Sequence, residues 1–426
     1  RRMRRRSRLE GRATGAGLVV FGQLVGSGKD SVHATATVYD VSGDTALARD
    51  LDVLGTSARM DGVTDSLTML VLRSLPSTRT VGALRGPALG ARSLGALKSF
   101  LQGEQLYRKN DFVAARPHYE QAIAQDPGFA LALRRMRGVL RGGGFSEFDS
   151  LSLAYAIRAG QANHGLTTRD SLLIVADSLA GATSFTTGFV DNAYLSRVRR
   201  RYQTLAAAAS QFRNDPEVQD ELGEVLTHFG DRIGVSQERA LRAFEEAVAL
   251  DSAFGPAYYH AIELSLTHRS TDTTRRYLAG YLAVNPNDTR FRVLAGVLDR
   301  ASRSPAEVDA WLQNQPANAR SFVARFIARW PDSSETAIRM LRELVQRPAG
   351  LPPEDSLLSK HWLTRTLLYR GHVREAAGRV DSTFAAIYPH RIVQLALFDA
   401  FSADSANRLF VRWRESSDLN RMILTL

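Results

Sequence analysis

Cysteine is absent from the 426 residues. That removes disulfides, a thiolate nucleophile and any cysteine-ligated metal. It also leaves the redox compartment open, because a cysteine-free chain suits an oxidising periplasm and the cytosol alike. Long apolar runs are missing as well. A membrane-spanning helix needs roughly 18–20 apolar residues in succession, whereas runs such as Gly17–Phe21 are strand-sized. The arginine-rich start is not followed by the apolar segment and small-residue cleavage site of an export signal. Lysine is scarce, with only Lys29, Lys98, Lys109 and Lys360 among 55 basic residues.

What charge there is sits unevenly. The formal excess is +11, yet residues 1–13 carry Arg1, Arg2, Arg4, Arg5, Arg6, Arg8 and Arg12 against Glu10 alone. More than half of the excess is therefore in this short run, which reads as a solvated helix face or a juxtamembrane stretch. No folded basic stripe with interleaved aromatics is visible beyond it, so nucleic acid is not an expected partner. Hydrophobic residues at 44% and charged residues at 23% mark a folded chain rather than a disordered one. The sequence opens Arg1-Arg2-Met3 and reads as a piece of a longer protein, with strands, a membrane anchor or a catalytic domain expected upstream.

Residues 14–75 read as three strands and a helix. Gly17–Val25 is rich in Leu, Val and Phe. In Ser31–Asp40, Val32, Ala34, Ala36 and Val38 alternate with His33, Thr35, Thr37 and Tyr39, the period of a half-buried strand. Ser42-Gly43-Asp44 supplies a turn, and Ala46–Leu54 returns antiparallel. From Asp61 to Leu75, the residues Val63, Leu67, Leu70, Val71 and Leu75 follow helical spacing. Residues 76–91, with Pro76, Gly82, Gly86, Pro87 and Gly90 and no sustained period, form a linker.

From residue 92 onward the pattern is helical and repeats. Gly103 is followed by Ala115, Tyr119, Ala122 and Pro127 at steps of 12, 4, 3 and 5. Gly223 is followed by Ala240, Phe244, Ala247 and Ser252 at steps of 17, 4, 3 and 5, and the excess falls around Asp231–Ser236. A small residue lets two helices of a hairpin approach, an aromatic fills the groove, and a breaker ends the second helix. Pro216, Ser252 and Pro286 lie 36 and 34 residues apart, close to the roughly 34-residue period of tetratricopeptide (TPR) hairpins. Ala319, Val323, Phe326 and Pro331 keep the rhythm, and Ala377 with Pro389 is a fainter copy. Residues 141–200 are the least legible part, though Thr167-x-x-Asp170 looks like a helix start. The expected fold class is thus mainly α: a TPR-like α-α superhelical array over 92–426, clearest at 96–127 and 217–286, preceded by a small incomplete α/β domain.

Gly15–Gly22 (GAGLVVFG), Ser31–Asp40 (SVHATATVYD), Asn214–Glu217, Leu222–Glu224 and Arg242–Tyr259 (RAFEEAVALDSAFGPAYY) together resemble a bacterial arrangement in which a TolB-like α/β domain precedes a TPR array. It is found in the C-terminal half of membrane-anchored serine/threonine protein kinases. The resemblance spans about residues 14–290. It implies a regulatory or sensory region on the extracytoplasmic side of a membrane, binding a protein or peptide. The same pairing accompanies transcription regulators, and a free-standing cytoplasmic adaptor is the other alternative.

Catalytic chemistry is not expected. His268-Arg269 is followed by Ser270 and His390-Arg391 by Ile392, so no His-Arg-Asp loop exists, and Asp-Phe-Gly is missing. Gly26-Ser27-Gly28-Lys29-Asp30 imitates a phosphate loop, but Gln23 and Asp30 stand where the motif needs Gly and Ser or Thr, so it reads as a hairpin turn. Ser27 lacks a nucleophile frame. No two of the nine histidines are four residues apart, and His260 and His268 are eight apart with Glu263 between, so no metal and no cofactor is expected. Tyr258, Tyr259, Trp311, Trp330 and Trp362 read as core aromatics. The remaining candidate is a partner groove on the first helices of hairpins, from Phe100, Glu104 and Tyr107 and from Asp220, Glu224 and Thr227. TPR domains that grip a C-terminal carboxylate use Lys and Asn at such places, so these residues point to a basic or apolar guest instead.

Overall fold

The computed structural model describes residues 17–26, 30–41, 45–74, 80–81, 84–85, 90–142, 150–184, 192–300, 302–329, 334–348, 350–381 and a few isolated positions beyond. The arginine run, the Ser42–Asp44 turn, Pro389 and the second histidine–arginine pair lie outside the described residues. The chain divides into two compact units. One is Arg1–Ala182 with Arg199–Phe212, and the other is Thr183–Val198 with Arg213–Leu426.

The first unit begins with an antiparallel meander of β1 (Leu18–Gly26), β2 (Ser31–Asp40) and β3 (Thr45–Thr56) in the order β1-β2-β3. Gly26 pairs with Val32, so β1 and β2 run on either side of Ser27–Lys29, which lies outside the described residues. On β2, Ala34, Ala36 and Val38 are buried as the alternation requires, and Tyr39 is buried too. The ladder to β3 shifts register at Ala36/Val38 and Val38/Tyr39, and such a bulge lets neighbouring residues depart from strict alternation. Helix α1 (Met60–Arg73) covers the sheet with Val63 and Met69. A Cβ on Gly55 of β3 would stand 2.2 Å from Val63, so that strand must be bare where α1 crosses. The expected linker is not wholly irregular, because β4 (Thr80–Val81) and β5 (Leu84–Arg85) pair within it. Two strands of two residues carry no periodicity that a sequence could display.

Helices follow: α2 (Leu94–Tyr107), α3 (Phe112–Gln125), α4 (Ala130–Gly142), α5 (Ser150–Gln161), α6 (Thr168–Ser184) and α7 (Asn192–Gln211). Their starts are written in the sequence. Ser93 Oγ accepts the Ala96 N–H at 3.1 Å, and Asp111 Oδ1 accepts the Ala114 N–H at 3.1 Å. Thr167 Oγ1 accepts the Asp170 N–H at 3.1 Å, as the Thr-x-x-Asp pattern indicates.

The second unit is built of helix hairpins: α8 (Pro216–Phe229) with α9 (Gln237–Leu250), α10 (Tyr258–His268) with α11 (Thr271–Val284), α12 (Thr289–Asp299) with α13 (Pro305–Gln313), α14 (Ala317–Ile327) with α15 (Ser334–Gln346), and α16 (Pro353–Tyr369) with α17 (Val373–Ala377). The longer α8–α9 turn is a 3-10 turn over Gly230–Ile233, ended by Gly234 at a φ of 77°. The Ala319 rhythm is out of phase: these residues are buried, but α14 is the first helix of its hairpin, and its Ser321 hydroxyl meets that of Ser359 on α16 at 2.8 Å. A 4, 3 spacing of small and large apolar residues describes any buried helix face, which is why it recurs there.

Together these helices form a TPR-like repeat array. Three of the hairpins close over a glycine of their first helix. A Cβ on Gly103 would lie 2.6 Å from the Tyr119 ring, on Gly223 2.7 Å from Phe244, and on Gly296 2.3 Å from Trp311. In α10–α11 the roles are exchanged, with Gly280 under Tyr258 at 2.8 Å. Between hairpins of the second unit runs a chain of rings: Tyr281–Phe291 at 4.3 Å between centroids, Phe291–Phe322 at 4.9 Å, Phe322–Phe326 at 4.5 Å and Tyr259–Phe326 at 5.3 Å. No hairpin owns this core, and neighbours complete it for one another.

Two alanine substitutions separate helix propensity from seating. Gly138 of α4 has 3.5 Å to the Tyr107 ring, ordinary contact distance, so Gly138→Ala is expected to be neutral or to stabilise by up to about 1 kcal/mol. Gly103→Ala, by contrast, is expected to destabilise by about 1–3 kcal/mol through overpacking against Tyr119. Urea unfolding of the two variants measures the difference, and equal effects would refute the seating.

Candidate functional site

The six groove residues fall into two triads on equivalent faces of α2 and α8, one in each unit. In the first unit the structure turns the triad inward. Phe100 is 1% exposed and lies 5.6 Å from the Tyr119 ring and 4.9 Å from that of Phe129. Glu104 is buried, receiving Arg135 Nε at Oε1 (2.6 Å) and Nη2 at Oε2 (2.8 Å), together with the Tyr119 hydroxyl at 2.6 Å. Tyr107 carries the Arg135 guanidinium 4.3 Å above its ring. Burial first, then the Glu104 charge, hold the Tyr119 phenol well above its usual value, so it stays a proton donor. The carboxylate, the Nε–Nη2 edge of the guanidinium and the phenol satisfy each other, and the expected groove surface of α2 is instead packing between hairpins. Nearby, Arg134 and Arg137 of α4 share Asp177 of α6 at 3.0 and 2.9 Å, with all three side chains almost wholly covered.

In the second unit the triad has company the sequence reading did not supply. Asp220 and Glu224 are buried, whereas Thr227 is half-buried and its hydroxyl donates to the Gly223 carbonyl at 2.9 Å. Along α8, Glu217, Asp220, Glu221 and Glu224 form a run of buried carboxylates. One turn after Glu224, on the same face, stands His228. Its Nε2 is 3.6 Å from Glu224 Oε2, and its side chain is 37% exposed. From the first turn of α10, His260 brings Nε2 to 3.3 Å from Glu224 Oε1, while its Nδ1 lies 2.5 Å from Glu263 Oε2. Glu263 in turn pairs with Arg329, whose guanidinium lies 4.5 Å over the Trp362 ring. The two imidazoles meet edge to face at 5.2 Å between centroids, and Phe244 and Tyr259 wall His260 at 5.5 and 4.9 Å.

The expectation of scattered histidines therefore gives way. Glu224, His228 and His260 place one ligand-capable atom each within 4.8 Å of one another. Two histidines on one helix would show as an i, i+4 spacing, whereas this cluster takes a Glu-x-x-x-His pair from one helix and its second histidine from the next hairpin. A signal existed: His260 follows Glu224 by 36 residues, the same interval that separates Pro216 from Ser252. Equivalent positions of successive first helices face one another in a stacked array. Glu263, placed loosely between His260 and His268 by sequence, bears on His260 alone. Chemically the cluster can hold positive charge, as protons on imidazole or as a cation between the nitrogens and the carboxylate.

No protein-family model matches the sequence, and no curated protein matches it. Among solved structures the chain is similar to the P58(IPK) TPR domain, with 11% identity over 76% of this chain and 99% of that one at a TM-score of 0.20. It is similar in the same measure to yeast Tom70, with 12% identity over 78% of this chain and 99% of the other at a TM-score of 0.20. Among the described residues no helix is long and apolar enough to cross a membrane.

Removing one member of the buried Glu104–Arg135 pair leaves a charge without its partner. Glu104→Ala is expected to destabilise the first unit by about 3–5 kcal/mol. Denaturant unfolding followed by circular dichroism checks this, and a variant as stable as the parent would mean that Glu104 is not the structural anchor described.

Proposed function

We propose that this chain is a non-catalytic interaction scaffold whose repeat array binds a protein or peptide segment of basic character. The observation that carries the reading is the run Glu217, Asp220, Glu221 and Glu224 along a first helix. A negative row on the inner helices of a stacked array favours guests carrying Lys or Arg and disfavours a carboxylate terminus. Thr227 and His228, at the end of α8, are the members that solvent reaches best, and a guest meets them first. The lack of a kinase loop, a phosphate loop and a nucleophile frame in the sequence supports a role in binding rather than turnover. The narrower setting, a regulatory region of a membrane-anchored serine/threonine kinase, is supported by the sequence resemblance over residues 14–290 alone. A transcription regulator or a free-standing adaptor would use the same array.

The whole chain should select, from a random peptide library, sequences enriched in Lys and Arg. Affinity should fall as salt rises, because the Lys and Arg charges of the approaching guest are exposed and are screened beyond about 10 Å at 0.1 M ionic strength. Thr227→Arg should weaken the selected peptides. A library selection without basic enrichment, or binding untouched by Thr227→Arg, would remove the proposal.

A further inference from the structure

The two units answer the same question differently. In the register of the repeat, Gly103-Glu104 corresponds to Gly223-Glu224, and Tyr119 to Phe244. Arg108, four residues after Glu104, then corresponds to His228. Arg135 lies 31 residues after Glu104, and His260 lies 36 after Glu224, the difference being the longer α8–α9 turn. In the first unit the glutamate's counter-charge is a guanidinium, which is always ionised. In the second, two imidazoles, His228 and His260, stand where the first repeat has two arginines.

We propose that Glu224, His228 and His260 form a site for a divalent transition-metal cation of the zinc type. Three features of the geometry support it. Ligand atoms around a tetrahedral zinc sit roughly 3.3 Å apart when the bonds are about 2.0–2.1 Å. His260 Nε2 lies 3.3 Å from Glu224 Oε1, His228 Nε2 lies 3.6 Å from the other oxygen, Oε2, and one ligand atom of each residue lies within 4.8 Å of the rest. Secondly, His260 Nδ1 is taken by Glu263, which fixes the tautomer so that Nε2 presents its lone pair to the site. That is the carboxylate–histidine arrangement by which proteins orient a metal ligand. Thirdly, His228 is the exposed member, so the cation has a path in. Three protein ligands leave a fourth position for water. The cation would tie α8 to α10 across two hairpins, as the Glu104–Arg135 pair ties α2 to α4.

The test uses tag-free full-length protein, stripped with chelator and titrated with Zn2+ alone, then with Co2+ for its absorption spectrum. One Zn2+ per chain, a rise in thermal midpoint with Zn2+ concentration and a tetrahedral Co2+ spectrum are expected. His228→Ala, at an exposed position, should leave the apo fold unchanged and abolish stoichiometric binding. Glu263→Gln should weaken Zn2+ by about 10–100-fold. His260→Arg rebuilds the first-unit pair, so it should fold and show a thermal midpoint indifferent to Zn2+. No stoichiometric Zn2+ uptake, or uptake equal in the parent and His228→Ala, would overturn the site and leave the two imidazoles as carriers of protons only.

Discussion

Four hairpins of this array close only as far as a glycine allows, and that glycine is seated on an aromatic face. Gly103 under Tyr119, Gly223 under Phe244 and Gly296 under Trp311 have no room for a methyl group. The seating is structural because the ring cannot yield: Tyr119 and Phe244 are fully buried, Tyr119 held by Glu104 and Phe100 and Phe244 by His260 of the next hairpin. Close approach fixes how the two helices cross, and that crossing sets which face each hairpin turns to its neighbour. The ring chain from Tyr281 through Phe291 to Phe326 is the consequence one layer out.

The same register places charge. The residue after the seated glycine is a glutamate in both units, and packing leaves it facing the first helix of the following hairpin. A buried carboxylate in that place needs a cation across the interface. Arg135 supplies it in the first unit with two hydrogen bonds and a stacked tyrosine. In the second unit the position holds His260, backed by Glu263 and joined by His228. One geometric rule thus yields a rigid ion pair in one unit and a cluster open to protons or a metal in the other.

Much of this was legible in the residues. β2 and the helix covering it were readable from period alone, the Thr167 start from its capping pattern, and the hairpin pairing from glycine, alanine and aromatic steps. The longer turn after α8 was legible too, as an excess of residues around Asp231–Ser236 that the structure resolves into a 3-10 turn ended by Gly234. Three things were not. The ladder of β4 and β5 is too short to show a period. The phase of the Ala319 segment was ambiguous because first and second helices bury similar patterns. The inward turn of Phe100, Glu104 and Tyr107 was hidden because a glutamate on a first helix looks like a groove residue until its partner, 31 residues on, is known. His260 was missed for the same reason: it joins Glu224 through the repeat, and spacing rules written for one helix do not see across hairpins.

The most direct test of the account is a double-mutant cycle at one seat, Gly223→Ala crossed with Phe244→Leu, followed by denaturant unfolding of all four proteins. If the ring over the glycine is what limits helix approach, a smaller side chain makes room for the added methyl. The double variant should then be more stable than the sum of the single losses predicts, with a coupling of about 0.5–3 kcal/mol. Strictly additive losses would contradict it, because they would mean that glycine and ring do not share one space and that the hairpin is set by something else.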